Sequence, residues 1–171
     1  MRQLTKKEVK RAGKETPKRD QEIYLILENI QYATNVASIF RTADAAAVKR
    51  IYLTGISQKP PFGKDLRKTS RSKEDSVEWM YEEISGDVMA KLRKLGFFFV
   101  AIELTDNSTL LSDLKDDLKD KEKVCFIAGS EVYGIKKSTL EKVDLAVAIP
   151  MYGKGGSLNV STAVGIVLYS F

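Results

Sequence analysis

The sequence predicts a one-domain α/β protein whose mostly parallel sheet is covered by helices on both faces. Continuous apolar runs such as 97–102 (FFFVAI) and Lys123–Ala128 (KVCFIA) have the composition of parallel strands buried on both sides. Stretches of helical periodicity alternate with these runs along the chain, an order that yields a parallel sheet with crossover helices. The 171 residues suffice for one real core and are too few for two domains of ordinary size.

Residues 1–20 are basic and precede the first apolar run, so they read as an arm, loose or forming a short helix, ahead of a folded domain over 21–171. Glu22–Glu28 (EIYLILE) is rich in β-branched and aromatic residues and reads as the first strand. Residues 29–34 are polar and turn-like. From Asn35, the positions Val36, Ile39, Phe40, Ala43 and Ala47 recur with helical spacing. Arg50–Thr54 (RIYLT) is a second strand, ended by Gly55. Residues 56–75, with Pro60, Pro61 and Gly63, read as a long polar connection, a kind of loop that often carries function.

Residues 76–80 suggest a short strand, and 82–95 an amphipathic helix stopped by Gly96. After the strand at 97–102 come a short acidic helix or turn over 110–118 and the strand at Lys123–Ala128. A helix is predicted within 134–143, a strand at 145–149 (LAVAI), and a last helix from Ser157 or Asn159 to Phe171.

Composition excludes several chemistries. There is no histidine and one cysteine, Cys125, which lies in an apolar run and reads as a buried structural thiol. A histidine general base, a Ser-His or Cys-His pair and histidine zinc sites are therefore absent, and no metal is expected. No apolar run is long enough to span a membrane and no secretory signal is present. A cytoplasmic location fits.

The net charge is +5, and residues 1–20 carry all of it: eight Lys/Arg, among them Lys6, Lys7, Lys10 and Arg11, face three acids. A second cluster over 59–73 contains Lys64, Arg67, Lys68 and Arg71 and only one acid, Asp65. Two such clusters in polar segments suit the phosphates of a nucleic acid.

Glycine-bearing loops follow the predicted strands: Gly129 with Gly134 after one, and Gly153, Gly155 and Gly156 after another. Ligands of open α/β sheets bind at that edge. Neither a dinucleotide fingerprint nor a phosphate-binding P-loop is present, so the pocket is of another kind. In 149–163 (IPMYGKGGSLNVSTA), Met151 and Leu158 can wall a ring, and the helix start can meet an anion. Asn35, Ser38 and Arg41 or Thr42 recur about one turn apart, and Arg41 reads either as half of a surface salt bridge or as a clamp for a phosphate.

These segments carry a resemblance. The runs 35–44 (NVASIFRTAD), 126–131 (FIAGSE) with Gly134, and 149–161 (IPMYGKGGSLNVS) are similar, in order and spacing, to the three motifs of the SpoU/TrmH-type branch of the SPOUT RNA 2′-O-ribose methyltransferases. The likeness extends from about residue 22 to the C-terminus.

It implies a deep trefoil knot in the C-terminal third, S-adenosylmethionine as cofactor, a homodimer with the site beside its interface, and methyl transfer to a ribose 2′-hydroxyl of tRNA or rRNA. By resemblance Arg41 is the catalytic arginine, Asn35 supports it, Glu131 helps hold the catalytic loops and Arg41, and Ser157 and Asn159 complete the site. Leu104, Thr105, Gly129, Ile149, Met151, Ser157, Leu158 and Asn159 would grip the cofactor, with Glu103 beside them. The basic arm and the 59–73 segment would capture RNA.

Two positions depart from the family pattern: Ser130 stands where Asn is common, and Ala47 where Gly is usual. A base-targeting methyltransferase of the same fold and an RNA-binding protein without catalysis are the competing readings. The position of the methyl group separates the first from a ribose enzyme, and cofactor binding separates the second.

Overall fold

The computed structural model describes residues 1–16 and 19–171; Pro17, Lys18 and the side chains of Lys10 and Lys14 lie outside what is described. The elements are α1 (Lys6–Glu15), β1 (Glu22–Glu28), α2 (Ala33–Ala45), β2 (Arg50–Thr54), α3 (Lys64–Ser70), β3 (Glu78–Glu82), α4 (Ser85–Lys94) and β4 (Phe98–Ile102). They continue with β5 (Thr109–Leu110), α5 (Leu114–Leu118), β6 (Lys123–Ala128), α6 (Lys137–Leu140), β7 (Leu145–Ala148) and α7 (Val160–Leu168). Among the described residues, no helix is long and apolar enough to cross a membrane.

The seven strands form one sheet in the order β3-β2-β1-β6-β4-β7-β5, and every pairing is parallel. β1 lies near the centre, and its residues alternate between two cores. Ile23, Leu25 and Leu27 face α2, α3, α5 and α7; Tyr24 and Ile26 face α4. This two-sided burial explains the apolar runs of the central strands. On the first face α2 packs between α3 and α7. Phe40 of α2 is fully buried and meets Phe62 edge-on at 5.9 Å, and Thr42 lies against Gly165 of α7. Full burial of a side chain like Phe40 contributes about 3 kcal/mol.

Several predicted elements differ from those observed. The connection 56–75 is not open loop. Lys64–Ser70 forms α3, and Lys73–Asp75 a 3-10 turn, because Phe62 and Leu66 anchor the segment on the core. One apolar residue in seven gives no readable period. The residues at 110–118 divide into β5 and α5. The helix within 134–143 shortens to four residues, since Gly134 takes φ +65° and turns the chain first. The last helix stops at Leu168, and Phe171 folds back to within 5.1 Å of Phe126. The arm contains a real helix, started by a capping box between Thr5 and Glu8. Cys125 is fully buried, and burial pushes its thiol far above the ordinary value, so it is no nucleophile.

The C-terminus of α2 accounts for one departure from the family pattern. Ala47 and Val48 donate back to the carbonyls of Asp44 and Ala43 at 3.2 and 2.9 Å, closing a Schellman turn. That turn holds Ala47 at φ +58°, in the left-handed region where a Cβ is penalised. Ala47 is exposed, so Ala47→Gly is expected to stabilise the protein by about 1 kcal/mol. Urea unfolding checks this: an unchanged midpoint would show that the turn carries no such penalty.

Candidate active site

The connections after β1 and β2 run to one side of β1, to β2 and β3, and β6, β4, β7 and β5 lie on the other. The loops after β1 and β6 therefore splay apart at the carboxyl ends of adjacent strands, where open α/β sheets form a crevice. A cavity of about 550 Å³ opens there, lined by Tyr32 and Asn35 from the β1 side, by 128–132 and Gly134 after β6, and by Ser157, Leu158 and Asn159 before α7. The three sequence segments, far apart in the chain, form its wall.

A chain of side-chain hydrogen bonds joins them. Asn159 Nδ2 donates to Asn35 Oδ1 at 2.9 Å, and Asn35 Nδ2 donates to Glu131 Oε1 at 2.7 Å. Asn159 is also the N-cap of α7, accepting from the Ser161 amide at 2.9 Å and its hydroxyl at 2.7 Å. Glu131 serves the start of α2 from a distant loop. Its carboxylate accepts from the amides of Gln31 at 3.0 Å and Tyr32 at 3.3 Å. No acidic residue lies in the first turn of α2, so Glu131 supplies the negative charge that a helix N-terminus favours. Partial burial pushes this carboxyl up, but the hydrogen bonds from Asn35 and from the Gln31, Glu131 and Tyr32 amides together outweigh it and hold it below its ordinary value.

The loop carrying Glu131 is fixed from several sides. Ser130 and Gly134 exchange backbone hydrogen bonds at 3.0 and 2.9 Å, and the Ser130 hydroxyl accepts from the Val132 and Tyr133 amides. Serine at this position thus closes its own loop. A Cβ on Gly129 would collide with the backbone of Gly134 and Ile135. Glu103 accepts from the amides of Ile135 at 3.2 Å and Leu104 at 3.1 Å, so it ties this loop to the end of β4.

Glu28, read from sequence only as the last residue of a strand, is 1% exposed and accepts from Ser85 at 2.6 Å, Thr139 at 2.7 Å and the Lys136 amide at 2.8 Å. An acid closing the run 23–27 (IYLIL) is the available signal.

A smaller cavity of about 160 Å³ adjoins the first and shares Ile102, Glu103, Ser157, Leu158 and Ala163 with it. Leu104, Val147, Ile149, Met151 and Leu158 make it apolar, and Gly156 leaves one side open. The predicted cofactor residues thus gather around two adjoining chambers. Thr105 is the exception: it lines a separate hollow of about 440 Å³ with Lys137 and Glu141. No group of three or more Cys, Asp or Glu able to hold a metal occurs among the described residues.

Arg41 lies on the outer side of α2, exposed, and is not on the cavity wall. Among the described residues its side chain makes no hydrogen bond or ion pair, and within one chain Glu131 bonds Asn35. Ser38 and Thr42 turn their hydroxyls onto carbonyls of their own helix.

The basic residues divide. On α1, Lys6 and Lys7 are exposed, and Arg11 pairs with Glu15 at 3.1 Å in full solvent, a contact that gives way at little cost. Lys10 lies outside the described side chains. On α3, Lys64 is exposed and Lys68 pairs with Asp65 at 3.1 Å, and Arg71 is exposed just beyond. Arg67 differs from these. It bonds Asp75 at 2.6 Å and stands 3.7 Å from Glu74, whose two buried carboxylate oxygens have no hydrogen-bond partner among the described residues. Arg67→Ala would leave Glu74 buried without its counter-charge and is expected to cost about 2 kcal/mol of stability. Lys64→Ala should cost nearly nothing. Equal urea midpoints for the two variants would overturn this assignment.

The sequence and the fold are shared with known proteins. The chain is 29% identical over 169 residues, 97% of its length and 76% of the relative's, to a tRNA (guanosine(18)-2′-O)-methyltransferase of Aquifex aeolicus. It superposes on the crystal structure of the A. aeolicus TrmH/SpoU tRNA modifying enzyme with a TM-score of 0.77 at 27% identity, covering 96% of this chain and 80% of that one. An AdoMet-bound rRNA methyltransferase from Sinorhizobium meliloti shares the fold with a TM-score of 0.78 at 24% identity, over 91% of this chain and 57% of that one. The model of the SpoU rRNA methylase family matches residues 22–169, and the chain belongs to that family.

Proposed function

We propose that this protein transfers a methyl group from S-adenosylmethionine to a ribose 2′-hydroxyl of tRNA or rRNA. One observation carries the reading: three distant segments meet at one cavity through the Asn159–Asn35–Glu131 hydrogen bonds, beside an apolar chamber. The family match and the Aquifex relative, named for transfer to a ribose oxygen, support it.

The two chambers suit the two ends of the cofactor. Leu104, Ile149, Met151 and Leu158 offer apolar surface to an adenine ring, while Gly129, Ser157 and Asn159 offer polar groups in the larger chamber. When bound, the cofactor supplies a methyl group on a positively charged sulfur that leaves readily. The chain's own task is then alignment and exclusion of water more than acid–base chemistry, which accords with the absence of histidine. Asn35 and Asn159, locked to one another, keep the start of α2 and the loop before α7 in register. Arg41 binds the phosphate or the hydroxyl of the target nucleotide.

Because Arg41 lies outside the cavity of its own chain, we assign it to the cavity of a partner in a homodimer. The partner docks on α7, which carries no charged residue yet leaves Thr162 exposed and Ile166 only half-buried, with Tyr169 exposed just past its end. The strand order, with β6 inserted between β1 and β4, supports the knotted path that the family resemblance implies. The basic arm over 1–20, with Lys6 and Lys7, and the α3 segment capture RNA by its phosphates. The setting is the cytoplasm.

Mapping of 2′-O-methyl positions in total RNA, from cells with and without this gene, tests the function. Loss of at least one ribose methyl is expected. An unchanged ribose map with a missing base methyl would transfer the reading to a base-targeting enzyme.

A further inference from the structure

The geometry points to Tyr32 as a stacking platform for an unpaired nucleobase of the RNA substrate, an inference that rests on the function proposed above. Tyr32 lines the larger cavity and is absent from the wall of the apolar one. Tyr32 therefore sits on a part of the wall that the apolar chamber does not share. Tyr32 is 55% exposed, and among the described residues its side chain makes no hydrogen bond and joins no aromatic pair or cation–π contact.

Its backbone, in contrast, is held firmly. The Tyr32 amide donates to Glu131 Oε1 at 3.3 Å, and its carbonyl accepts from the amides of Asn35 at 2.9 Å and Val36 at 3.3 Å. Tyr32 occupies the N-cap position of α2, where a short polar residue ordinarily accepts a hydrogen bond, yet its side chain makes none. Glu131 Oε1, which holds the Asn35 side chain at 2.7 Å, thus also sets the ring's point of attachment. An exposed aromatic on a rigid backbone, at the rim of a cavity that receives a ribose, is pre-organised for a planar partner.

RNA supplies one. Unpaired bases are recognised by stacking on aromatic side chains, and each stack is sequence-tolerant because every base has a π-face. With the 2′-hydroxyl directed to the cavity floor, the base of the target nucleotide or its neighbour lies over Tyr32. Tyr133 and Tyr152 are more exposed still, at 89% and 96%, but neither lines the cavity.

The test compares Tyr32→Ala, Tyr32→Leu and Tyr32→Phe with wild type, using total RNA from cells lacking the gene as methyl acceptor. Tyr32→Ala and Tyr32→Leu should lower the apparent kcat/KM for RNA by about 10- to 100-fold. Tyr32→Phe, which keeps the ring and loses only an unpartnered hydroxyl, should stay within about twofold of wild type. S-adenosylmethionine affinity by calorimetry and the urea midpoint should not move, because the anchoring contacts of Tyr32 are all backbone. Tyr32→Ala or Tyr32→Leu at wild-type kcat/KM would overturn the platform, as would a parallel loss of cofactor affinity. A wild type that transfers no methyl would overturn the underlying function, and the platform with it.

Discussion

Arg41→Ala is expected to reduce methyl transfer about 100- to 1000-fold while leaving folding and cofactor affinity unchanged. The two halves of that expectation have separate grounds. Arg41 is exposed and bonds to nothing among the described residues, so its removal leaves no group unsatisfied; surface changes of this kind stay within about 0.5 kcal/mol. It lines neither chamber, so cofactor contacts remain. What disappears is a planar cation able to hold a phosphate or a developing oxyanion in two-point contact.

Lysine should restore little, because it offers a point charge where a fork is needed. Initial rates under saturating cofactor, with calorimetric binding of S-adenosylmethionine, measure both halves. Parallel loss of transfer and binding would make Arg41 structural. Mixing Arg41→Ala with Glu131→Gln subunits tests the assignment across the dimer. If Arg41 serves the partner's cavity, random reassortment should recover about a quarter of wild-type activity. If it serves its own, nothing is recovered.

Glu131→Ala is expected to damage stability and activity together. Glu131 accepts from two backbone amides and from Asn35, all at the start of α2. Truncation leaves three donors to find water and removes the negative charge at that helix end. A loss of about 2 to 3 kcal/mol follows. Asn35 loses its tether at the same time, and with it the register of Asn159, so transfer should fall at least about 100-fold even where the protein is fully folded.

The pH dependence has a definite sign. The folded carboxyl lies below its unfolded value, so its stabilising contribution is complete above the ordinary carboxylate range and disappears as pH falls through the folded value. Glu131→Gln removes that contribution. The difference in unfolding free energy between wild type and Glu131→Gln should therefore be constant near neutrality and shrink in acid. A difference that grows in acid would contradict the assignment.

The sheet was legible in sequence because central parallel strands are buried on both faces and need no alternation to be seen: β1, β2 and β6 match their predicted limits residue for residue. Elements anchored by one or two apolar side chains are not legible. α3 exists because Phe62 and Leu66 find the flank of α2, a tertiary fact with no local period. α6 is one turn long because Gly134 adopts a left-handed turn first, and Gly134 alone does not announce which way the chain then goes.

At the site, the motif residues Asn35, Glu131 and Asn159 were named from sequence, but their direct contact was not, since the bonds link positions 96 and 124 residues apart. Glu28 and Tyr32 went unread for opposite reasons. One is a buried acid inside an apolar strand; the other is an apolar ring at a position where polar caps are normal. The charge of Arg67 places it among the expected RNA contacts, and nothing local to it announces that in the fold it also stands beside buried Glu74.

The central claim is tested most directly by where the methyl group goes. Purified protein is incubated with RNA from cells lacking the gene and with S-adenosylmethionine labelled in its methyl group, and the RNA is digested to nucleosides. The label is expected in a 2′-O-methyl nucleoside, in a linkage that resists alkaline cleavage, and to be absent with Arg41→Ala. Label on a base, or no label in RNA from protein that binds the cofactor, would contradict the account.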